Sequence, residues 1–339
     1  MIIDKNFSPL MEQCFAGRPF SVEETEALIH SMLDDTLSDV RIASVLTAFR
    51  FTPMSKESIL AIIHACQSKN TSLKHLNFPH LVDCCGTGGE GLNTVNISTM
   101  ASIVAAAAGA NVAKFTGKSL SSKSGSSSVL KFLDIIPLDN AEDIEEGLKK
   151  VGLVFIDAGS FYAPLKNISS IRKTLGFKTI IDLIFPIANP LPLTGQVVGV
   201  YHRDVMSLII SCVKDIGRER ALVVHAEDGL DELSVCSATY VAKLSNGKIV
   251  HEVWKPSDFG LKTYDISELK SSNFENNAFV FERVLQNDAP EAIVRAVEYN
   301  AAGILWCAKL CESIPEGLAM ARENIESGKA MKTFEHWKN

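Results

Sequence analysis

The first 70 positions of the chain place apolar residues at intervals of three and four. That spacing is typical of amphipathic helices. It recurs in three segments, ETEALIHSML (24–33), DVRIASVLTAF (39–49) and ESILAIIHAC (57–66). Ser21 stands three residues before Glu24, as in a capping box, and Ser55 precedes Ser58 at the start of another helix. The pattern predicts a small all-helical domain over residues 1–75.

From residue 81 the pattern changes to short apolar runs separated by amphipathic stretches. The runs predict strands at 81–85, 111–115, 152–157, 196–201 and 220–227. The stretches between them predict helices at 98–109, 126–133, 141–150, 164–174 and 204–215. Further on, the sequence predicts a hairpin at 242–253 that turns at Asn246 and Gly247, and helices from 289 to 330. This alternation predicts an α/β domain over 76–339 with a mostly parallel sheet, and later helices are free to join the helical domain.

Composition and charge limit the classes of function that the chain can have. The 339 residues are 46% hydrophobic, which is enough to bury a substantial core. Lys and Arg number 33 against 40 Asp and Glu, giving a net charge of -7. This balance disfavours nucleic-acid binding, because the chain has no overall excess of basic residues to attract a polyanion. Any anion that the protein binds must therefore be held by a local site.

The chain offers no sequence signal for a membrane or an oxidising compartment. Its start, MIIDKNFSPLMEQ, does not join a basic segment to an apolar one, and the apolar run at 103–110 is too short to span a bilayer. We expect a cytoplasmic protein. The eight cysteines are scattered without a repeated CxxC pair, so we expect reduced thiols. Cys307 and Cys311 share a helical face, where packing explains them better than metal binding.

The strongest local signal is a glycine-rich turn between a predicted strand and a predicted helix. It reads GTGGEG over 86–91 and is followed by NIST over 96–99. Glycines let the backbone approach a ligand closely, and amides beside a helix N-terminus form a cradle for phosphate oxygens. The turn is not a Walker A loop, which would need Gly-Lys followed by Ser or Thr. A purely geometric turn is the alternative for the glycines taken alone.

Two further segments carry groups suited to a phosphate and a metal. Residues 114–126 set three lysines among serines just after a strand, which offers cations and hydroxyl donors to a phosphate or pyrophosphate. The alternative is an ordinary serine-rich surface loop. Asp228, Asp231 and Glu232 surround a glycine turn after the strand 220–227, and hard oxygen ligands of this kind suit magnesium. A solvated acidic turn is the alternative here.

The order and spacing of these elements resemble the anthranilate phosphoribosyltransferase family from about residue 5 to about residue 335. The matching motifs are DCCGTGGEG, TVNISTMAS, VAKF, KSLSSKSGS, IRKTLGFKTIIDLIFPIANP, HAEDGLDELS, NAAGILW and IESGKAM. The resemblance implies a helical domain hinged to a larger α/β domain of the nucleoside phosphorylase and phosphoribosyltransferase type, with substrates bound between them, in a homodimer. It implies Mg²⁺-dependent transfer of 5-phosphoribose from phosphoribosyl pyrophosphate to anthranilate, giving N-(5-phosphoribosyl)anthranilate in tryptophan biosynthesis.

The same resemblance assigns roles to individual positions. For the donor it implies Gly86, Thr87, Gly89, Glu90, Thr94, Asn96, Ile97, Ser98, Thr99, Lys114, Ser119, Ser121, Ser122 and Ser126. For magnesium it implies Ser98, Asp231 and Glu232, and for catalysis Lys114, Asp231 and Glu232. For the acceptor it implies Gly86, Phe115, Gly117, Tyr162, Arg172 and Phe185.

The departures from the family fall on the acceptor side. The family's Lys-His-Gly-Asn-Arg reads Lys-Phe-Thr-Gly-Lys over 114–118, a His-Pro pair is replaced at 162–163, and a glycine is replaced by Phe185. The acceptor-binding arginine is kept as Arg172, for which an ordinary surface arginine is the alternative. These replacements predict an active transferase with an altered acceptor pocket.

Three other functions stay open at this point. The same chemistry on a different acceptor follows directly from the departures. A non-catalytic relative that binds nucleic acid or another ligand is disfavoured by the acidic charge and by the retained Lys114, Asp231 and Glu232. Nucleoside phosphorolysis occurs on a similar fold, but the loop that it needs is not found in this sequence.

Overall fold

The computed structural model describes residues 2–69, 71–88, 92–116, 126–133, 135–161, 165–270 and 274–338. The chain divides into two compact units, Met1–Ser72 with Gly159–Pro190, and Leu73–Ala158 with Leu191–Asn339. Residues 159–190 thus belong to the helical unit, although the sequence pattern places them within the α/β segment 76–339. Sequence periodicity is local and does not report which unit a helix packs in.

The helices and strands follow one another along the described residues. The helices are α1 Ile2–Phe15, α2 Val22–Leu33, α3 Asp39–Phe51, α4 Lys56–Ser68, α5 Ile97–Ala107, α6 Ser126–Phe132, α7 Ala141–Val151, α8 Ala158–Phe161, α9 Leu165–Leu175, α10 Ile180–Ile184, α11 Met206–Asp215, α12 Phe274–Leu285, α13 Glu291–Cys307, α14 Ile314–Glu326 and α15 Lys329–Lys338. The strands are β1 Leu81–Gly86, β2 Asn111–Thr116, β3 Leu153–Asp157, β4 Gly195–Gly199, β5 Arg220–Ala226, β6 Thr239–Ser245 and β7 Lys248–Trp254.

The helical unit begins its second helix with the predicted capping box. Ser21 Oγ accepts a hydrogen bond from the Glu24 amide at 3.1 Å, and Glu24 Oε2 accepts one from the Ser21 amide at 2.8 Å. Each bond satisfies an amide that the first turn of the helix leaves unpaired. At the start of α4, Ser55 Oγ likewise accepts from the Ser58 amide at 3.1 Å. Both predicted helix starts are confirmed.

A seven-stranded sheet organises the larger unit in the order β3-β2-β1-β4-β5-β6-β7. Strands β1 to β5 pair in parallel, and β6 and β7 add an antiparallel hairpin at one edge. The predicted mostly parallel sheet is confirmed. The hairpin turns at Asn246 and Gly247, whose φ values of 51° and 70° are those that a tight two-residue turn requires.

The strand order reverses between β1 and β4, which are neighbours in the sheet although two other strands separate them in the chain. At such a switch point the loops after the two strands diverge and leave a crevice at their carboxyl ends. Helix α13 is buried along almost its whole length and packs against α5 and α14. It also approaches β4 so closely that a Cβ on Gly195 would lie 2.1 Å from the Cys307 carbonyl oxygen. Helix α13 therefore packs closely against the amino end of β4.

All eight cysteines are free, and seven of them are buried. Burial raises the pKa of Cys66 to about 12 and raises the pKa of Cys84 and Cys85 as well. Thiols of this kind stay protonated at neutral pH and act as small apolar groups. In the part of the chain that the structure describes, no helix is both long and apolar enough to cross a membrane.

Candidate active site

The candidate site lies at the carboxyl ends of β1 and β4. The Thr87 amide donates to the Gly199 carbonyl at 3.0 Å, so the glycine-rich turn leaves β1 while still tied to β4. A Cβ on Gly86 would lie 2.3 Å from Asp231 Oδ2, and one on Gly199 would lie 1.7 Å from the Asp231 carbonyl oxygen. Two glycines are required here because the acidic turn after β5 packs directly onto both strand ends.

Within that acidic turn, Asp228 supports the turn itself. Its Oδ1 accepts from the Leu230 amide at 3.0 Å, and its Oδ2 accepts from Ser234 Oγ at 2.5 Å. A side chain that bonds to the backbone two residues on is a common way to build a tight turn. The structure therefore separates Asp228 from the other two acids that the sequence groups with it.

Asp231 and Glu232 instead reach the predicted phosphate cradle. Asp231 Oδ2 accepts from the Gly88 amide at 2.7 Å, and Glu232 Oε1 accepts from the Ser98 amide at 3.2 Å. Asp231 is only 9% exposed. Two adjacent carboxylates thus bond to the Gly88 amide and to the first turn of α5, where amide dipoles favour negative charge.

These acids form a donor set that fits magnesium. Carboxylate and hydroxyl oxygens are the hard ligands that Mg²⁺ takes, and it commonly uses only one or two protein carboxylates together with phosphate oxygens and water. Asp231, Glu232 and the Ser98 hydroxyl would hold it. Among the described residues, no group of three or more His, Cys, Asp or Glu is arranged to hold a metal ion.

Lys114 carries a buried positive charge beneath the same turn. It lies on β2, is 3% exposed, and its Nζ donates to the Cys84 carbonyl and to Ser98 Oγ, the latter at 3.2 Å. Burial acts to lower the pKa of Lys114, but its neighbours Cys84 and Cys85, followed by the carboxyl groups of Asp83 and Glu232, act in the other direction, and the pKa is raised. Lys114 is therefore charged at neutral pH, and its ammonium group fixes the Ser98 hydroxyl by a hydrogen bond.

The NIST turn forms the entry to α5, which begins at Ile97. The side chains of Ile97 and Thr99 are buried. Thr94 forms an isolated antiparallel bridge with Lys270. Asn96 directly precedes the helix, and its side chain bonds to Asn277 at 2.8 Å.

Part of the predicted site falls outside the residues that the structure describes. These positions are Gly89, Glu90, Gly117, Ser119, Ser121, Ser122 and Tyr162. Ser126 is described only as the first residue of α6. Their roles stay predictions.

The predicted acceptor residues are divided between the two units. Phe115 lies on β2 of the larger unit and is 1% exposed, so its ring is part of the packed interior. Arg172 and Phe185 belong to the helical unit. Arg172 Nη2 pairs with Asp182 Oδ1 at 2.5 Å, and the two side chains are only 14% and 5% exposed. The interpretation of Arg172 as an ordinary surface arginine is therefore wrong.

Asp182 is itself fixed within the helical unit. Its Oδ2 accepts from the Thr179 amide at 2.8 Å and from the Thr179 hydroxyl at 3.0 Å, at the start of α10. A carboxylate held by these donors keeps the Arg172 guanidinium in one place. Phe185 follows α10 and is half-buried.

Sequence reasoning missed Asn277, which lies on α12. Its only signal in the sequence is the pair Asn276–Asn277 next to the apolar run AFVF in the helix FENNAFVFERVL. A polar residue on a buried helix face requires a hydrogen-bond partner, but the partner's identity is not readable from the chain.

Comparison with known proteins agrees with this geometry. The family model described as glycosyl transferase family, a/b domain, matches residues 78–331, and the one described as glycosyl transferase family, helical bundle domain, matches residues 8–69. The chain is 35% identical over 327 residues to the anthranilate phosphoribosyltransferase of Clostridium kluyveri, covering 96% of each chain. It is 31% identical to that of Bacillus licheniformis, covering 97% of each. The chain belongs to the anthranilate phosphoribosyltransferase family.

Solved structures of the anthranilate phosphoribosyltransferase family share the whole fold. The Thermus thermophilus enzyme superimposes with a TM-score of 0.87 at 30% identity, covering 97% of this chain and 98% of its own. The Saccharomyces cerevisiae enzyme in complex with PRPP and Mg superimposes with a TM-score of 0.85 at 26% identity, covering 96% of this chain and 95% of its own. The fold that the sequence predicts is confirmed along nearly its full length.

Proposed function

We propose that this protein transfers 5-phosphoribose from phosphoribosyl pyrophosphate to anthranilate in a Mg²⁺-dependent reaction of tryptophan biosynthesis. The observation that carries the proposal is the contact of Asp231 and Glu232 with the amides of Gly88 and Ser98. This contact brings two carboxylates suited to a metal beside two amides suited to phosphate oxygens, at the carboxyl ends of β1 and β4.

In the reaction, the bond between the ribose anomeric carbon and the pyrophosphate oxygen breaks and pyrophosphate leaves, while a bond to the amine nitrogen forms and that nitrogen releases one proton to water. Bound magnesium supplies electrostatic stabilisation to the leaving pyrophosphate. The charge of Lys114 adds to this stabilisation, and the Gly88 and Ser98 amides would add donors once Asp231 and Glu232 turn from them to bind magnesium. An aromatic amine is unprotonated at neutral pH, so the attack needs no strong general base.

The acceptor proposal rests on the family and on Arg172. An arginine is suited to a carboxylate because its guanidinium offers several donors in a fixed plane, and the ion pair with Asp182 holds that plane still. The replacements at Gly117 and Phe185 keep a different aromatic amine as the alternative acceptor, whereas Phe115 is buried and offers no surface to an acceptor. A homodimer and a cytoplasmic location are proposed from the family resemblance alone.

The first test removes the two metal-binding charges. Asp231→Asn with Glu232→Gln should lower turnover by at least about a hundredfold, because the leaving pyrophosphate loses its magnesium. The measurement is pyrophosphate release at saturating donor and anthranilate. Asp204→Asn with Glu323→Gln removes the same charge from exposed positions and should leave turnover unchanged. Equal rates in the site variant and the wild type would exclude the proposed function.

A second test addresses the buried cation. Lys114→Ala should weaken binding of phosphoribosyl pyrophosphate in calorimetry with magnesium present, because the variant loses both a positive charge and the hydrogen bond to Ser98. Lys149→Ala, on the surface of α7, is the matched control. A dissociation constant equal to that of the wild type would contradict the role of Lys114 in binding phosphoribosyl pyrophosphate.

A further inference from the structure

Asn277 makes a two-point contact with the NIST turn. It is fully buried on α12, and its Nδ2 donates to Asn96 Oδ1 at 2.8 Å. Its Oδ1 accepts from the Asn96 amide at 3.4 Å. The two residues stand 181 positions apart in the sequence, so this contact exists only through the fold.

The contact fixes the orientation of both side-chain amides. The backbone N–H of Asn96 is a donor and nothing else, so Asn277 must turn its Oδ1 toward it. The Nδ2 of Asn277 then faces the Asn96 side chain, which must accept with its own Oδ1. The end of the Asn96 carboxamide turned away from Asn277 is therefore Nδ2, which can only donate.

The adjoining backbone holds the same turn. The Val95 amide donates to the Leu269 carbonyl at 2.9 Å, and Thr94 bridges Lys270. These bonds come from the segment directly before α12, so one stretch of chain fixes both the path of the turn and the side chain of Asn96. A binding group held in advance loses less conformational freedom when its ligand arrives.

We propose that Asn277 is a positioning residue for the phosphoribosyl pyrophosphate site, which orients the Asn96 carboxamide with its NH₂ group toward the donor. The inference rests on the proposed function, because phosphate oxygens are acceptors and require a donor at this position. An Asn96 side chain free to flip would present its carbonyl oxygen for part of the time and repel the ligand.

The test is a double-mutant cycle read by donor binding. Asn277→Ala should weaken binding of phosphoribosyl pyrophosphate with magnesium by about tenfold, the effect of one hydrogen bond to a charged group. At saturating donor, kcat should stay within about twofold of the wild type, because Asn277 does not touch the reacting atoms. In an Asn96→Ala background, Asn277→Ala should weaken binding no further.

A second variant distinguishes orientation from packing. Asn277→Asp keeps the acceptor and loses the donor, so Asn96 should turn its Nδ2 inward, and donor binding should weaken more than in Asn277→Ala. Repeating Asn277→Asp in the Asn96→Ala background isolates the effect of the added negative charge. Asn324→Ala is the matched control for stability, because Asn324 is a buried asparagine on α14 that bonds to the Met320 carbonyl.

The outcomes separate the two hypotheses. The Asn277→Ala variant could bind phosphoribosyl pyrophosphate with the dissociation constant of the wild type and lose thermal stability as Asn324→Ala does. That result would overturn the positioning role and leave the proposed function standing. The same would follow if Asn96→Ala and Asn277→Ala weakened binding additively. Wild-type protein that does not bind the donor at all would overturn the proposed function together with this role.

Discussion

Replacing Gly86 with alanine tests the placement of Asp231 by adding one methyl group. A Cβ at this position would lie 2.3 Å from Asp231 Oδ2 and 2.9 Å from its Cγ. Carbon and oxygen atoms in contact are normally about 3.3 Å apart or more, so the carboxylate must move by about 1 Å. The φ of Gly86 lies outside the left-handed region, so alanine adds no backbone strain there. The clash is with a side chain, which can turn aside without unfolding the strand.

The displaced carboxylate loses its 2.7 Å bond to the Gly88 amide and its alignment with Glu232. A shift of about 1 Å in a catalytic constellation can cost about a hundredfold in rate. We therefore expect Gly86→Ala to lower kcat by about that factor and to raise the magnesium concentration needed for half-maximal rate. The free energy of unfolding should fall by about 1–3 kcal/mol, as for other overpacked sites.

The assay is pyrophosphate release at saturating donor and acceptor with magnesium titrated. Gly147→Ala is the matched control, since its Cβ would lie 2.6 Å from Val154 Cγ1, a similar clash inside the apolar contact of α7 with β3. It should lose comparable stability and keep the wild-type kcat and magnesium dependence. If Gly86→Ala also keeps both, the position of Asp231 does not matter to the reaction, and its assignment as a magnesium ligand is refuted.

Three other properties can be measured independently. Glu298 is buried and pairs with Arg295 at 2.6 Å, so Glu298→Gln should lower the free energy of unfolding in urea by about 3 kcal/mol, and a loss below about 1 kcal/mol would contradict this. Burial and Asp228 raise the pKa of Cys236 to about 12, so its rate of modification by a thiol reagent should rise about tenfold per pH unit from pH 7 to 10, without the plateau near pH 9 of an ordinary thiol. Phe185→Gly with Gly117→Asn should improve kcat/KM for anthranilate by about tenfold, or roughly 1.4 kcal/mol, and a slower variant would contradict the altered-pocket hypothesis.

Most of the larger unit could be predicted from the sequence because its signals are local. Each parallel strand is a short apolar run, and the hairpin shows its Asn246–Gly247 turn directly. In the helical unit, α10 has only five residues, which is too short for a helical periodicity to be recognised. Helix α12 lies before the region 289–330 where the sequence predicts helices. The adjacent Asn276 and Asn277 interrupt its apolar periodicity, so the pattern does not predict it. The assignment of 159–190 to the helical unit depends on packing between distant segments, which no local pattern records.

The site was predictable in its residue types and less so in its contacts. Glycine, lysine and acidic residues stand out because their chemistry suits phosphate and magnesium. The difference between Asp228 and Asp231 is not visible in the sequence, since both are aspartates of one turn. It arises because Asp228 bonds within the turn, whereas Asp231 faces the Gly88 amide from another strand end.

The contacts of Asp231 and Glu232 also explain how an acidic chain can select its donor. In the described part of the site, two carboxylates take the hydrogen bonds of the Gly88 and Ser98 amides, against a single buried cation at Lys114. A pyrophosphate without metal would have to displace like charges from those amides, and such repulsion is strong where water is scarce. If Asp231 and Glu232 hold magnesium as proposed, the Gly88 and Ser98 amides would become available to phosphate oxygens. On this hypothesis, binding of the donor would require magnesium because Asp231 and Glu232 would otherwise repel its phosphate groups.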